Sequence, residues 1–399
     1  MTRFAREFLG GIDLRKILTA ILALFAASVA FAAPNPALNS ILFWTPAQQE
    51  AGYKATEKFF PVRNIAHGAT VFPLPKASGA FDVRYPFQGS VWNTERFMKA
   101  NRVSGLLVIK DGHIVLERYG LGRKPADRWV SFSVTKSVTS TLVGAAIADG
   151  FIKSIDAPVT DYIPGLKGSA YEGVTIRQVL TMTSGVKWNE NYSDPNSDVA
   201  KFALTKPGPH GENPIVLYMA KLPREAPPGT KFVYKTGESD MVGVLVESAT
   251  HKHLADYLSE KIWSRYMESD ANWMLDLGGS EIGGCCISAT LRDFGRFGMF
   301  VMNGGVAGGV QVVPPDYLAA ATRKQVASDF GPLGYGYQWW THANGAYEAI
   351  GIFGQSIYID PAEKLVIVTN SAWPEADATK YYVVHDTYVD AVAKALHGT

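Results

Sequence analysis

The sequence predicts an α+β fold: one antiparallel sheet built from both ends of the chain, flanked by helices, with an all-helical lobe inserted between them. Three observations predict it. Ser104 to Lys110 and His113 to Tyr119 read as strands around Asp111-Gly112, a two-residue link that marks a β-hairpin. From residue 133 to residue 302 the apolar spacing is mostly helical. Strand signals then return at Tyr335 to His342, Tyr347 to Gly351, Gln355 to Ile359 and Leu365 to Asn370, and a closing helix fits Thr379 to Leu396.

In chain order, Arg3, Arg6, Arg15 and Lys16 precede an apolar segment from Ile17 to Ala32 that ends on Ala30-Phe31-Ala32. A basic start, a short apolar middle and a small-x-small end read as a secretory leader over residues 1–32, too short for a comfortable membrane span. The mature chain is therefore expected to be exported, periplasmic or secreted, without a stable span. Residues 33–100 read as an extended segment wrapped on the body, and residues 101–399 as the catalytic domain, with its helical lobe at roughly 150–290. The whole chain holds 38 Lys and Arg against 37 Asp and Glu. The leader takes four of the first and two of the second, so the remainder is nearly neutral and no nucleic-acid partner is expected. With 47% hydrophobic residues and two adjacent cysteines, Cys285 and Cys286, stability is expected from core packing. The cysteine pair reads as two small buried thiols.

The buried helix opening at Ser133 carries Val138, Leu142, Ala145, Ala146 and Ile147, and ends at Ala148-Asp149-Gly150. Further helices fit Thr175 to Thr183, Ser197 to Thr205, Asn213 to Leu222, Ser239 to Ala249, His253 to Tyr266 and Thr290 to Met302. On the helix that opens at Ser133, Ser133 and Lys136 lie three residues apart on one helical face. The free N–H groups of the first helical turn stabilise developing negative charge there, and burial lowers the lysine pKa toward the range of a general base. Position alone leaves open a capping serine beside a snorkelling lysine. A second Ser-x-x-Lys, Ser184 to Lys187, straddles the helix terminator Gly185 and serves as an internal control for coincidence. No G-x-S-x-G nucleophile elbow, C-x-x-C or H-E-x-x-H is present, and His251-Lys252-His253 is a poor metal pair. No metal or organic cofactor is expected.

Ser133-Val134-Thr135-Lys136, Ile155-Asp156-Ala157-Pro158-Val159, the run from Thr175 to Gly185 and Pro228-Gly229-Thr230-Lys231-Phe232-Val233-Tyr234 together resemble the serine hydrolases related to class C β-lactamases and penicillin-binding proteins. The resemblance covers roughly residues 100 to 375. It implies a β-lactamase/transpeptidase-like fold with the active site in the cleft between the two lobes. It also implies a third catalytic group, Tyr234, at the family's Tyr-x-Asn position, where a phenol near a lysine ammonium ionises more easily and relays a proton. The family's last motif falls at Gly351-Ile352-Phe353-Gly354, so an N–H of Ile352 or Phe353, paired with that of Ser133, is the implied oxyanion hole.

Two departures narrow the resemblance. Thr236 stands where the lactamases have asparagine, and the Lys-Thr-Gly clamp for a substrate carboxylate has lost its lysine and threonine. The pattern is closer to 6-aminohexanoate-dimer hydrolases and family VIII-type carboxylesterases. Thr236, Gly351, Gly354, Trp339 and Trp340 are the implied substrate-binding residues, although paired tryptophans in a strand also fit one core and one surface residue. The expectation is a serine hydrolase cleaving small linear amides or esters through an acyl-enzyme on Ser133. Its competitors are a β-lactamase or D-Ala-D-Ala carboxypeptidase, and a non-catalytic peptide-binding relative.

Overall fold

Val103–Lys110 is buried along nearly its whole length, as an apolar strand covered on both faces must be. It lies within an eight-stranded antiparallel sheet, between the hairpin partner His113–Tyr119 and Leu365–Ser371. Beyond the latter follow Gln355–Asp360, Tyr347–Gly351, Trp340–Thr341, Gly334–Tyr335 and Val326–Ala327. The computed structural model describes residues 37–397; the leader expected over residues 1–32 lies outside them. Among the described residues no helix is long and apolar enough to cross a membrane.

Side chains alternate across a strand, and the sheet uses both faces. Val366 and Val368 join Leu107, Ile109, Ile357 and Phe297 in the larger core. Leu365 and Ile367 join Leu106, Val108, Tyr388 and Val392 on the other side. The larger core is closed by the Leu291–Met302 helix and by Val134–Ala148, the smaller by Thr379–Ala395. Gly295 and Gly298 let the first of these helices sit close on the sheet: a Cβ at either would lie 2.6 Å from Leu107 or Val366. The inserted lobe contains Ile176–Leu180, Pro214–Met219, Thr236–Thr250 and Leu254–Leu258. Thr175 caps the first of these in a reciprocal box with Gln178.

Three expectations change. The stretch from Tyr335 to His342 is not one strand; Gln338 takes φ 62° between two short pairings. Residues 37–100 are more than an extended wrap. They form a helix at Pro46–Gly52, strands at Val62–Ile65, Arg84–Phe87 and Ser90–Asn93, and a helix at Thr94–Ala100. Leu38, Trp44, Tyr53 and Phe60 from this region build a third core with Trp129, Phe132 and Phe353. Cys285 and Cys286 are bonded to each other rather than free.

Candidate active site

The turn that carries Ser133 is held from both sides. Trp129–Val130 pairs with Ser288–Ala289 in a small second sheet, and the Ser131 N–H donates to Ile287 O at 2.8 Å. The Ser131 and Thr135 hydroxyls meet at 2.7 Å across the first helical turn. Phe132 adopts φ 46°, a conformation a bulky side chain occupies only when its surroundings enforce it. Tyr53 and Phe353 do so, with ring centroids 5.1 and 4.9 Å from that of Phe132.

Ser133 occupies the N-cap of Val134–Ala148, yet its side chain makes no capping hydrogen bond. Instead Lys136 Nζ donates to Ser133 Oγ at 2.8 Å, to Thr236 Oγ1 at 3.1 Å and to Gly284 O at 2.9 Å. Lys136 is 1% exposed, so it does not snorkel. The control pair behaves differently: Ser184 donates to Glu238, while Lys187 is exposed. Burial pulls the Lys136 ammonium down to about 8, opposed by the charges of Glu190 and Asp240. Lysine at this value keeps a useful fraction of free amine near neutrality.

Tyr234 completes the constellation, its hydroxyl hydrogen-bonded to Ser133 and its ring centroid 5.2 Å from Lys136 Nζ. Its pKa moves opposite to the expected direction. Burial pushes it up, the Ser133 contact pulls it down, and Glu190 and Asp377 push it up further. Tyr234 is therefore held as a neutral phenol, able to donate a proton.

The other expected site residues separate. Thr236 is 7% exposed, and its hydroxyl is spent between Lys136 and Glu190; it positions the lysine rather than lining open space. Gly351 is required by a close approach, since a Cβ there would lie 2.7 Å from Ser131 O. Gly354 is a turn residue at φ 85° packed on Trp373 and stays out of the cleft. Trp339 is fully buried and stacks on Phe297 in the core, whereas Trp340 lines the cleft and stacks on Tyr234 at 5.5 Å. Of the two expected oxyanion donors, the Phe353 N–H donates to Gln355 Oε1 at 3.2 Å, whereas Ile352 lines the cleft wall.

Glu190 escaped sequence reading. Its carboxylate accepts from the Thr236 N–H at 3.0 Å and the Tyr192 hydroxyl at 2.5 Å, and also from the Thr236 hydroxyl and the Trp188 indole. The only local signal is the i, i+2 alternation Trp188, Glu190, Tyr192, which places three side chains on one side of an extended segment. Asp240, also missed, accepts from the Gly284 N–H behind Lys136. Burial raises its pKa to about 7, against the pull of the Gly284 hydrogen bond and Lys136.

The cleft encloses about 810 Å³ between Tyr234, Trp340, Ile350 and Ile352 on one side and the Thr379–Ala395 helix on the other. Glu247, His253 and Glu281 form a cluster with metal-ligand spacing, but it lies outside the cleft lining and Arg63 pairs with Glu281 at 2.8 Å.

Comparison with known proteins agrees with this geometry. The β-lactamase family model matches residues 93–387. The chain is 31% identical to a 6-aminohexanoate-dimer hydrolase of Paenarthrobacter ureafaciens over 321 residues, covering 76% of this chain and 81% of that one. A solved structure described as a candidate 6-aminohexanoate-dimer hydrolase from Bacillus anthracis superposes with TM-score 0.76 at 25% identity, covering 87% of this chain and 94% of that one. A family VIII carboxylesterase shares the fold alone, with TM-score 0.56 at 16% identity over 75% of this chain and 94% of its own. With Ser133 and a buried lysine gathered beside a tyrosine of the cleft wall in such a fold, the chain belongs to the β-lactamase family of serine hydrolases.

Proposed function

We propose that the protein hydrolyses linear amides or esters through an acyl-enzyme on Ser133. The observation that carries this reading is the 2.8 Å contact between Ser133 Oγ and a fully buried Lys136 Nζ. In the free-amine form Lys136 takes the Ser133 proton as Oγ attacks the substrate carbonyl. The N–H groups of Ser133 and Ile352 hold the oxyanion, and Tyr234 gives its proton to the departing amine or alcohol. Water then attacks the ester, returning its proton through the same groups and freeing Ser133. The similarity to a 6-aminohexanoate-dimer hydrolase supports a linear amide as substrate. Loss of the clamp lysine speaks against β-lactams and D-Ala-D-Ala peptides.

A fluorophosphonate probe labels the wild type and fails to label Ser133→Ala; equal labelling of both would overturn the assignment. Nitrocefin and a D-Ala-D-Ala peptide, set against p-nitrophenyl esters and the 6-aminohexanoate dimer, separate the competing activities. We also propose export directed by residues 1–32, tested by amino-terminal sequencing of the protein recovered from the periplasm and the medium.

A further inference from the structure

The cleft wall beyond Tyr234 is charged in one sense. Glu190, Asp329, Glu348, Asp377, Asp386 and Asp390 line it, and no Lys or Arg is among the described residues that do. Two histidines are the only basic groups. His342 Nε2 pairs with Glu348 Oε2 at 3.2 Å, and His385 Nδ1 with Asp386 Oδ1 at 3.1 Å. Even with both imidazoles protonated, the wall keeps a net negative charge. At its floor Glu348 has a side chain only 4% exposed, and its Oε1 has no hydrogen-bond partner. A buried carboxylate oxygen left unmatched is costly, and a ligand donor is the group that would satisfy it.

Aromatic faces stand beside these carboxylates. Trp340 stacks on Tyr234 and meets Phe330 at 5.0 Å between centroids, and Phe330 is 41% exposed although large and apolar. Carboxylates combined with aromatic faces form the chemistry that recognises an ammonium group. A substrate carboxylate placed in this arm would meet the like charge of these carboxylates.

We propose that this arm of the cleft is a subsite for a protonated amine, carried on the part of the substrate that leaves past Tyr234. The assignment of that part as the leaving group rests on the hydrolase reading; the preference for a cation does not. Glu348, Asp386 and Asp390 set the preference, so the favoured substrates are linear amides or esters whose leaving group ends in an amine, unlike the 6-aminohexanoate dimer, whose leaving group ends in a carboxylate.

The test separates binding from chemistry. Ser133→Ala protein is titrated calorimetrically at low ionic strength with N-acetyl-1,6-diaminohexane, 6-acetamidohexanoate and neutral N-hexylacetamide. The diamine derivative binds about tenfold or more tighter than the carboxylate. The gap narrows several-fold in an added Asp386→Asn, Asp390→Asn background and at high salt. These two aspartates are exposed, so their replacement leaves the packed interior untouched, unlike that of the buried Glu348. Competition by the same ligands against ester hydrolysis by the wild type gives the same order. Equal or tighter binding of the carboxylate, or a gap that ignores the aspartate substitutions and salt, overturns the subsite. Failure of the hydrolase reading shows itself differently, as absent fluorophosphonate labelling with the cation preference intact.

Discussion

Replacing Glu190 by glutamine tests whether Lys136 is the group whose deprotonation switches the enzyme on. Thr236 Oγ1 lies 3.1 Å from Lys136 Nζ and donates to Glu190, so the carboxylate is within about 6 Å of the ammonium. At an effective dielectric constant of about 20, unit charges about 6 Å apart interact by about 2.8 kcal/mol, or about two pKa units. The sign follows from what each charge favours. A carboxylate stabilises the protonated lysine, and Glu190 is the larger of the two charges raising its pKa. Glu190→Gln therefore lowers the Lys136 pKa and populates the free amine at lower pH. In a plot of kcat/KM against pH for a neutral ester, the acid limb sits near 8 in the wild type and moves to about 6 in the variant. Glutamine must turn a donor toward four donors, which lowers stability by about 1–3 kcal/mol, so thermal unfolding is measured alongside to confirm a folded enzyme. A limb that stays in place, or moves up, would refute Lys136 as the titrating base.

Further outcomes follow from the same geometry. Lys136→Ala and Tyr234→Phe each lower kcat by about 10² to 10⁴ with the fold retained, as judged by circular dichroism; near-normal turnover in either variant removes that residue from the mechanism. The two tryptophans separate by assay. Trp339→Ala costs about 3–5 kcal/mol in a denaturant titration, while Trp340→Ala chiefly raises KM, because Trp340 walls the cleft and Trp339 fills the core. Tyr53→Ala, at a position outside the cleft lining and fully buried against Trp129, Phe132 and Phe353, loses about 3–5 kcal/mol. It also loses turnover, since Phe353 alone then packs against Phe132 to hold its φ; unchanged kcat in the folded variant would mean that the turn holds without Tyr53.

What was legible in the chain was local. Asp111-Gly112 between two alternating runs and Thr175 three residues before Gln178 are short-range signals, and the hairpin and capped helix stand where they predict. Gly150, at φ 79°, follows the Val134–Ala148 helix as its terminator. The illegible parts depend on partners distant in sequence. Trp339 fills the core and Trp340 walls the cleft, but this sheet is covered on both faces, so hydrophobicity could not say which of the two meets the cleft. Glu190 reaches the lysine only because Thr236, 46 residues later, bridges to it. The segment 37–100 shows no sustained periodicity, since its short elements gain stability from docking, the first against Phe132 and Phe353 and the last against Tyr388 and Val392, rather than from their own pattern.

The acid and the base of the proposed mechanism arise from one physical cause. Burial disfavours charge whatever its sign, lowering the pKa of a cationic acid and raising that of a neutral one. In this cleft it brings Lys136 down to about 8 and pushes Tyr234 up. Both groups are thereby biased to their neutral forms, an amine that accepts a proton and a phenol that gives one, and both contact the same Ser133 hydroxyl. Proximity to the lysine ammonium alone would have predicted a phenolate at Tyr234, and so a second base. The carboxylates of Glu190 and Asp377 oppose that outcome by favouring the neutral phenol, while Glu190 and Asp240 keep the lysine from falling further. The acidic surroundings thus divide the labour between two neutral groups, and the same negative field that sets their roles leaves the arm beyond Tyr234 unsuited to a carboxylate and suited to an amine.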